Sequence, residues 1–433
     1  DRRDIIYQPS EILKKSNILL ALFLIFAQCL SAQQKKSEVS DSLNKYIYPI
    51  ASRLNVKADF TQTVDILKPK LFVSLGESSH GTKEFYEAKT EIIKGLIEKA
   101  NFRTIFIETD YASLIYLNQM LQGTRDTSLY KRFGQKGIYT IYKTQEVYQL
   151  FDYVRQYNSH HEEAQKVSII GVDMQDLVMI ARRVLYELPD SGKATPNIYK
   201  SLIALKDIFS TGQLIKFTKS EHERNLDAIA LMKEKASLQK DVKFILLIRM
   251  LEQSYEMMNA KNDALRRDLR DKFMAKNILW IRSNFPDQGK SILWAHNAHI
   301  SNIPSFTRTT LGSYLKPVLQ KDLYSVAFMF EEGNVRILDP QQDGYQVRYV
   351  ERSKNPKSIE NIFADADSPA FFLDLEKIPV GKFLWNEIKK NTYMRSLGTT
   401  FFKDDKLTMG KEPLLDCFDG VIFFRKTNAS IGF

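Results

Sequence analysis

The stretch LFVSLGESSHGT at residues 71–82 decides the fold, because an apolar run ends there on a turn that carries acid and histidine side chains. Glu77 and His80 lie in that turn, directly after Gly76. Three further runs have the same design: TIFIE at 104–108, VSIIGVD at 167–173 and SILWAHNAH at 291–299. Short continuous apolar runs of this kind are typical of strands buried on both faces of a parallel sheet.

The polar residues at the ends of these runs are expected to lie together. They are Glu77, His80, Glu108, Asp173, His296 and His299. The carboxyl ends of parallel strands meet along one edge of a sheet, where ligands bind. Unrelated packing needs would scatter such residues along the strands, so we expect one shared crevice. The alternative for any single histidine is a hydrogen-bonded turn residue.

Helical spacing between the runs predicts an α/β pattern. Residues 83–100 place apolar side chains at helical intervals and lead into the second run, which makes a βαβ unit. Helical stretches at 111–121 and 144–158 precede the third run. The predicted fold is therefore α/β, with a mostly parallel central sheet flanked by helices.

Between the third and fourth runs the pattern changes. Residues 177–285 contain almost no strand signal, only long amphipathic stretches at 221–234, 241–258 and 263–283. Strand-like runs resume at 324–328, 370–373 and 420–424 and are expected to complete the sheet. We therefore predict an all-helical subdomain at 177–285, inserted between two parts of one α/β core at 33–176 and 286–433.

The composition is that of a large globular protein. The chain has 433 residues, of which 44% are hydrophobic and 12% aromatic, enough for a sizeable core. The net charge is +10, but lysines and arginines alternate with acids throughout and form no basic block interleaved with aromatics, so we expect no nucleic-acid partner. Cys417 is the single cysteine beyond the N-terminal segment, which excludes a disulfide framework and a cysteine-rich metal site.

The N-terminal segment has the order of a secretory signal peptide. A lysine pair at 14–15 precedes an apolar run at 18–27, and small residues lead to a predicted cleavage site after Ala32. The apolar run is too short to span a membrane comfortably. Lipidation of Cys29 is the alternative, disfavoured because the residue before it is not small. The segment 1–32 predicts export to the periplasm or cell envelope, with no stable membrane span after its removal.

Most familiar catalytic signatures are absent. GESSH at 76–80 has a histidine where the second glycine of a serine nucleophile elbow belongs. The chain has no His-Glu-x-x-His zinc motif and no phosphate-binding glycine-rich loop. Histidines beside carboxylates remain, and an imidazole oriented by a carboxylate can take a proton from water. The sequence therefore favours activation of water.

Several motifs resemble the erythromycin esterase family in order and spacing, from about residue 71 to residue 425. They are GESSHGT at 76–82 with Glu84, IE at 107–108, GVDMQ at 171–175, Arg270-Asp271 with Met274 and Asn277, WAHNAH at 294–299, and FDGVI at 418–422. The first and fifth of these motifs are specific in combination, whereas either alone is weak.

The resemblance implies an esterase that hydrolyses the macrolactone of macrolide antibiotics, such as 14-membered erythromycin, and that confers antibiotic resistance. It implies a histidine that activates water, no cofactor and no metal. His80 is then the general base, with catalytic companions Glu77, Glu108, His296, His299 and Arg270. Lys89, Asp173 and Gln175 are expected to bind the small-molecule substrate. Lys89 stands where some members carry arginine, so it keeps the charge but loses the planar fork.

Arg270 belongs to a run of cations with Arg266, Arg267 and Lys272. The spacing alone is equally consistent with a helix face exposed to solvent and with a position in the site. The family resemblance places Arg270 in the site, where a cation would polarise an ester carbonyl or stabilise an oxyanion.

Two other functions stay open at this point. One is a metal-dependent hydrolase of another ester or amide, whose ion would be held by nitrogen and carboxylate ligands. Its candidate ligands are Glu77, His80, His296 and His299. The other is a non-catalytic envelope protein on the same scaffold.

Overall fold

A computed structural model places the chain around one large β-sheet. It describes residues 33–50, 58–122, 138–187, 200–202, 217–285, 289–305 and 308–433, together with positions 17, 22, 24, 26 and 27. Apart from those five positions, the predicted signal segment 1–32 lies outside the described residues. Within the described ranges, no helix is both long and apolar enough to cross a membrane.

The described residues form eleven strands, nine of which belong to the main sheet. In chain order the strands are β1 (Ile47–Pro49), β2 (Phe72–Leu75), β3 (Phe102–Asp110), β4 (Ser168–Asp173), β5 (Lys290–Trp294), β6 (Leu323–Leu338), β7 (Tyr345–Val350), β8 (Ala370–Asp374), β9 (Tyr393–Arg395), β10 (Met409–Lys411) and β11 (Gly420–Thr427). Their order across the sheet is β1-β8-β11-β6-β2-β5-β3-β4, and β7 pairs with β6. Strands β9 and β10 form a separate two-stranded ladder.

The middle of the sheet is parallel, which confirms the predicted α/β fold. Each neighbouring pair from β11 through β6, β2, β5 and β3 to β4 runs parallel. Strands β1, β7 and β8 add antiparallel pairs at the margins. The three predicted late runs appear as β6, β8 and β11. The antiparallel direction of β8 was not foreseen, because an apolar run carries no information about strand direction.

Helices cover both faces of the sheet. They are α1 (Thr61–Leu67), α2 (Lys83–Ala100), α3 (Tyr111–Met120), α4 (Gln145–Ser159), α5 (Leu177–Glu187), α6 (Lys219–Gln239), α7 (Val242–Met258), α8 (Asp263–Asn284), α9 (Asn297–Ile300), α10 (Leu311–Leu319), α11 (Ile359–Phe363), α12 (Phe383–Lys390) and α13 (Leu414–Cys417). Helices α1, α2 and α4 share an apolar cluster with Val73 and Trp294. Helices α5, α7, α8 and α10 share a second cluster with Phe72 and Leu293. Successive strand residues thus fill cores on opposite faces.

The predicted helical segment 177–285 contributes helices α5 to α8. Polar caps start three of them: the side chains of Thr218, Asp241 and Asn262 accept from backbone amides in the first turns of α6, α7 and α8. Helix α8 packs directly against β4. The division of the chain into separate domains stays a prediction.

Strand β5 brings distant parts of the chain to one edge. It lies between β2 and β3, with Trp294 opposite both Leu75 and Ile107. The polar residues that follow these three positions therefore lie side by side at the carboxyl ends of the three strands.

Gly76 allows the turn after β2 to approach the segment after β5. A Cβ at this position would lie 2.0 Å from Asn297 Oδ1. The Asn297 side chain accepts from the backbone amide of Phe328 and donates to its carbonyl. The backbone amide of Asn297 donates to the Glu77 carbonyl at 2.9 Å. The two segments that carry the predicted site residues are thereby fixed against each other.

Candidate active site

Glu77 and His80 form a buried hydrogen-bonded pair on the turn between β2 and α2. His80 Nδ1 lies 2.7 Å from Glu77 Oε1. Burial disfavours the Glu77 charge, but Lys89 and the hydrogen bond from His80 outweigh burial and lower the pKa of Glu77. An ionised carboxylate only accepts hydrogen bonds, so Nδ1 carries the proton. In neutral His80, Nε2 therefore keeps its lone pair.

The second oxygen of Glu77 has two donors of its own. Lys89 Nζ lies 2.5 Å from Oε2, and Trp294 Nε1 donates to the same atom at 2.9 Å. Burial lowers the pKa of Lys89 to about 8, although Glu77 opposes this shift. Lys89 is 0% exposed. The resemblance assigned it to substrate binding, whereas the structure encloses it and gives it Glu77 as its partner.

Glu108, at the end of β3, connects three other parts of the site. Its Oε2 accepts from the His296 amide at 2.8 Å, and its Oε1 lies 2.7 Å from Arg270 Nη2 and 3.1 Å from His299 Nε2. Burial opposes the Glu108 charge, but His299 and Arg270 hold the pKa of Glu108 well below its usual range. Glu108 is therefore a carboxylate that orients its neighbours.

Arg270 is an enclosed ion-pair partner rather than part of a solvated helix face. Its side chain is 16% exposed. Its Nη2 and Nε lie 2.6 and 3.1 Å from Asp173 Oδ2. The same Asp173 oxygen accepts from Gln175 Nε2 at 2.9 Å, and Gln175 is an exposed residue at the margin of the site. The guanidinium thus has a carboxylate on each side, Asp173 and Glu108.

His299 extends the network to α8. Its Nδ1 lies 2.6 Å from Asp271 Oδ1. Arg308 Nη1 lies 3.3 Å from the other Asp271 oxygen. Burial works against a charged His299, but Asp271 and Glu108 outweigh it and raise the pKa of His299. Protonated His299 can donate to both carboxylates at once.

His296 is the neutral imidazole of the site. Its Nδ1 accepts from the Ala298 amide at 3.1 Å, which leaves the single proton of the neutral ring on Nε2. Burial and the neighbouring His80 hold the pKa of His296 well below its usual value. The His296 and His80 ring centres are 4.9 Å apart. Within the described part of the chain, Nε2 of His296 is buried without a hydrogen-bond partner.

The structure brings the predicted catalytic residues into one connected network. Asp271 and Trp294 also belong to it, and the sequence interpretation gave them no role. Asp271 is adjacent to Arg270 in the chain, and Trp294 opens the WAHNAH motif, so both could have been suspected from position. The burial of Lys89 could also have been predicted from the sequence, because Lys89 lies four residues after Phe85 on the apolar face of α2.

The candidate metal ligands Glu77, His80, His296 and His299 each contact other protein groups through at least one side-chain atom. Among the residues that the structure describes, no group of three or more histidine, cysteine, aspartate or glutamate side chains is arranged to hold a metal ion. The chemistry supported by this geometry is proton transfer by His80, with neutral His296 as a nearby hydrogen-bond donor.

Comparison with known proteins agrees with the motifs. A putative hydrolase YbfO from Bacillus subtilis (strain 168) is 23% identical over 455 residues, covering 96% of this chain and 96% of that protein. The Erythromycin esterase type II from Escherichia coli is 24% identical over 366 residues, covering 74% of this chain and 84% of that protein.

The structure is also similar to that of a solved erythromycin esterase. A solved erythromycin esterase mutant, in its open conformation, superimposes with a TM-score of 0.62 at 17% identity, covering 86% of this chain and 95% of that one. The sequence model of the family described as erythromycin esterase matches residues 97–427. The chain belongs to the erythromycin esterase family, a family of hydrolases.

Proposed function

We propose that the protein is a carboxylic ester hydrolase that opens a lactone ring with water activated by His80. The observation that carries this proposal is the contact between His80 Nδ1 and Glu77 Oε1, at 2.7 Å. It leaves the other imidazole nitrogen as a proton acceptor at the edge of the sheet where ligands bind. A base held in one tautomer by a carboxylate is suited to deprotonate water.

The proposed reaction has two steps. His80 Nε2 takes a proton from water while the water oxygen bonds to the ester carbonyl carbon, which produces a tetrahedral oxyanion and an imidazolium. The oxyanion then collapses, the bond from carbon to the ring oxygen breaks, and the imidazolium returns its proton to the departing alkoxide. The products are a carboxylic acid and an alcohol on one opened chain.

The other residues support these charges. Glu77 stabilises the imidazolium that forms on His80, and Lys89 keeps Glu77 ionised. His296 Nε2–H is a donor for the carbonyl oxygen as it becomes negative. Glu108 fixes the backbone of His296 through the 2.8 Å bond to its amide. Arg270 keeps Glu108 ionised and adds positive charge to the site.

The family membership supports a proposal for the substrate class. A macrolide such as erythromycin is the proposed substrate, because the Escherichia coli relative is described as an erythromycin esterase. The experiment is to incubate the purified protein with erythromycin and follow the mass of the antibiotic. We expect a gain of one water that requires active protein. Simpler lactones and aryl esters are assayed in parallel. Hydrolysis of these esters but not of erythromycin would reject only the macrolide substrate, whereas no hydrolysis of any ester would reject the esterase activity.

We also propose that the protein is exported. The basic pair, apolar run and small residues before residue 33 support this location. N-terminal sequencing after expression of the full chain in a Gram-negative host should give a mature protein that starts at Gln33 and fractionates outside the cytoplasm. Recovery of an intact apolar run in the cytoplasm would contradict it.

A further inference from the structure

A buried tyrosine that no motif predicted lies against the proposed base. Tyr142 ends a short 3-10 turn, Thr140–Tyr142. Its ring centre is 6.4 Å from that of His80, with the two planes at 84°, and 6.1 Å from that of Trp294. Tyr142 is 0% exposed. It therefore forms part of the wall beside the Glu77 and His80 pair.

The turn is attached to the segment that carries His80. The Tyr86 hydroxyl bonds the His80 carbonyl and lies 3.1 Å from the Ile141 carbonyl. Because Ile141 immediately precedes Tyr142, this contact holds the Tyr142 ring at a fixed position relative to the base. The ring is thus placed by two independent restraints, its packing on Trp294 and the Tyr86 link.

The Tyr142 hydroxyl is a buried polar group without a partner among the described residues. His296 Nε2, beside the same His80 ring, is in the same situation. Buried polar groups in folded proteins are nearly always hydrogen-bonded, so exceptions call for an explanation. Two unpartnered O–H and N–H donors around one base are explained together if both donate to one acceptor on a bound ligand.

We propose that Tyr142 is a further catalytic residue, whose neutral phenol donates a hydrogen bond to the tetrahedral oxyanion together with His296. This inference rests on the proposed ester hydrolysis. The phenol keeps its proton throughout: as the carbonyl oxygen becomes negative, the O–H and the Nε2–H both donate to it, and both are released when the intermediate collapses. Donors fixed before the reaction need no reorganisation when the charge develops.

The test compares Tyr142→Phe with Tyr324→Phe as a matched control. Each variant loses one buried oxygen. The Tyr324 hydroxyl is satisfied, donating to Asp374 Oδ1 at 2.9 Å near the start of β6, away from the network described above. With an aryl acetate and with erythromycin, we expect Tyr142→Phe to lower kcat by about 10²-fold with little change in KM. Tyr324→Phe should keep the wild-type kcat.

Thermal unfolding is the second measurement. Here we expect the control variant to lose stability and Tyr142→Phe to keep it, the reverse of their effects on kcat. Removal of an unsatisfied buried hydroxyl should leave the Tm of Tyr142→Phe equal to or above that of the wild type. Removal of a satisfied one should lower the Tm of Tyr324→Phe. A lower kcat without a lower Tm in Tyr142→Phe would show that the Tyr142 hydroxyl serves the reaction rather than the stability of the fold.

Binding of phenylphosphonate, a stable tetrahedral anion, separates this inference from the proposed function. We expect Tyr142→Phe to bind it at least about tenfold more weakly than the wild type, as the loss of one charge-assisted hydrogen bond implies, and Tyr324→Phe to bind it normally. Equal binding by the wild type and Tyr142→Phe, no binding by the wild type, or an unchanged kcat would overturn the role of Tyr142. Phosphonate binding in a wild type that hydrolyses no ester would instead reject the proposed function.

Discussion

His80 Nδ1 lies 2.7 Å from Glu77 Oε1, and this contact gives the two imidazole nitrogens different tasks. The nitrogen that faces the carboxylate is fixed as a donor. The other nitrogen is left as the acceptor that a general base requires. Since Glu77 is held ionised by Lys89, the orientation of the base depends on a side chain that has no exposed surface of its own.

Replacement of the base should remove most of the activity. General base catalysis contributes about 10²- to 10⁴-fold, so His80→Ala should lose at least about 10²-fold in kcat for lactone hydrolysis. His160→Ala is the matched control, because His160 is exposed and its ring contacts Ser159 and the Gln156 carbonyl at the end of its own helix. Circular dichroism should show both variants folded. Near-normal turnover by folded His80→Ala would remove the assignment.

The buried pair of Lys89 and Glu77 should show strong coupling in stability. Lys89→Met leaves an ionised carboxylate without its cation, and breaking a buried pair from one side costs about 3–5 kcal/mol. Adding Glu77→Gln should restore part of this loss. Lys94→Met on the same helix is the control: its partner Glu91 lies 3.0 Å away and both side chains are partly exposed, so the cost should be at most about 1 kcal/mol. Urea unfolding of the wild type, Lys89→Met, Glu77→Gln and the double variant measures the coupling, with Lys94→Met measured beside them. Strictly additive losses would show that no coupling exists.

Much of the site was predictable because it follows directly from buried strands. Runs such as TIFIE and SILWAHNAH contain no charged residue or histidine until the strand leaves the core, so the first acid or histidine marks the edge of the sheet. Glu108 and His296 were found in this way. The family resemblance added Arg270, whose own helix pattern is equally compatible with a solvated position.

The rest depends on contacts between distant segments. The insertion of β5 between β2 and β3 is decided by packing on both faces of the sheet, which no local pattern encodes. His299 Nδ1 contacts Asp271 on α8, and only tertiary packing brings these two residues together. Tyr142 carries no local sign of function, because an aromatic residue in a turn is usually a packing residue. That its hydroxyl has no partner among the residues that the structure describes is visible only in three dimensions.

The His299 contacts predict a specific dependence of stability on pH. The pKa of His299 is raised in the folded protein, with burial outweighed by Asp271 and Glu108. A raised pKa gives stability that is fully present below the unfolded value, about 6.5, and is lost as the pH rises through the folded value. The difference in unfolding free energy between the wild type and His299→Gln should therefore be larger at about pH 6 than at about pH 9. A difference that grows with pH would contradict the assignment.

Removal of metal should leave the activity intact. The proposed base needs no ion, since Glu77 orients it, and a catalytic metal would itself supply much of the activation of water. We expect protein treated with chelator, and found metal-free by elemental analysis, to keep its rate of lactone hydrolysis. Loss of turnover on chelation, with recovery on addition of zinc or manganese, would favour a metallohydrolase.

Water should attack the ester directly, without an acyl-enzyme, although two serines precede His80. Within the described residues the Ser78 hydroxyl has no hydrogen-bond partner, and the Ser79 hydroxyl lies 2.6 Å from that of Thr82. A serine nucleophile needs a base within hydrogen-bond reach, and neither hydroxyl has that contact with the His80 ring. Ser78→Ala and Ser79→Ala should each keep a substantial part of the activity, with any loss due to a looser turn.

Pre-steady-state kinetics with an activated ester provide the decisive measurement. Direct attack releases alcohol and acid together, so we expect no burst of alcohol before the steady state. Mass spectrometry of the protein during turnover should find no covalent adduct on residues 76–82. A burst stoichiometric with enzyme, or an acyl group trapped on either serine, would make His80 the partner of a serine nucleophile. The contact of Nδ1 with Glu77 would persist in that case, and Nε2 would then deprotonate a hydroxyl instead of water.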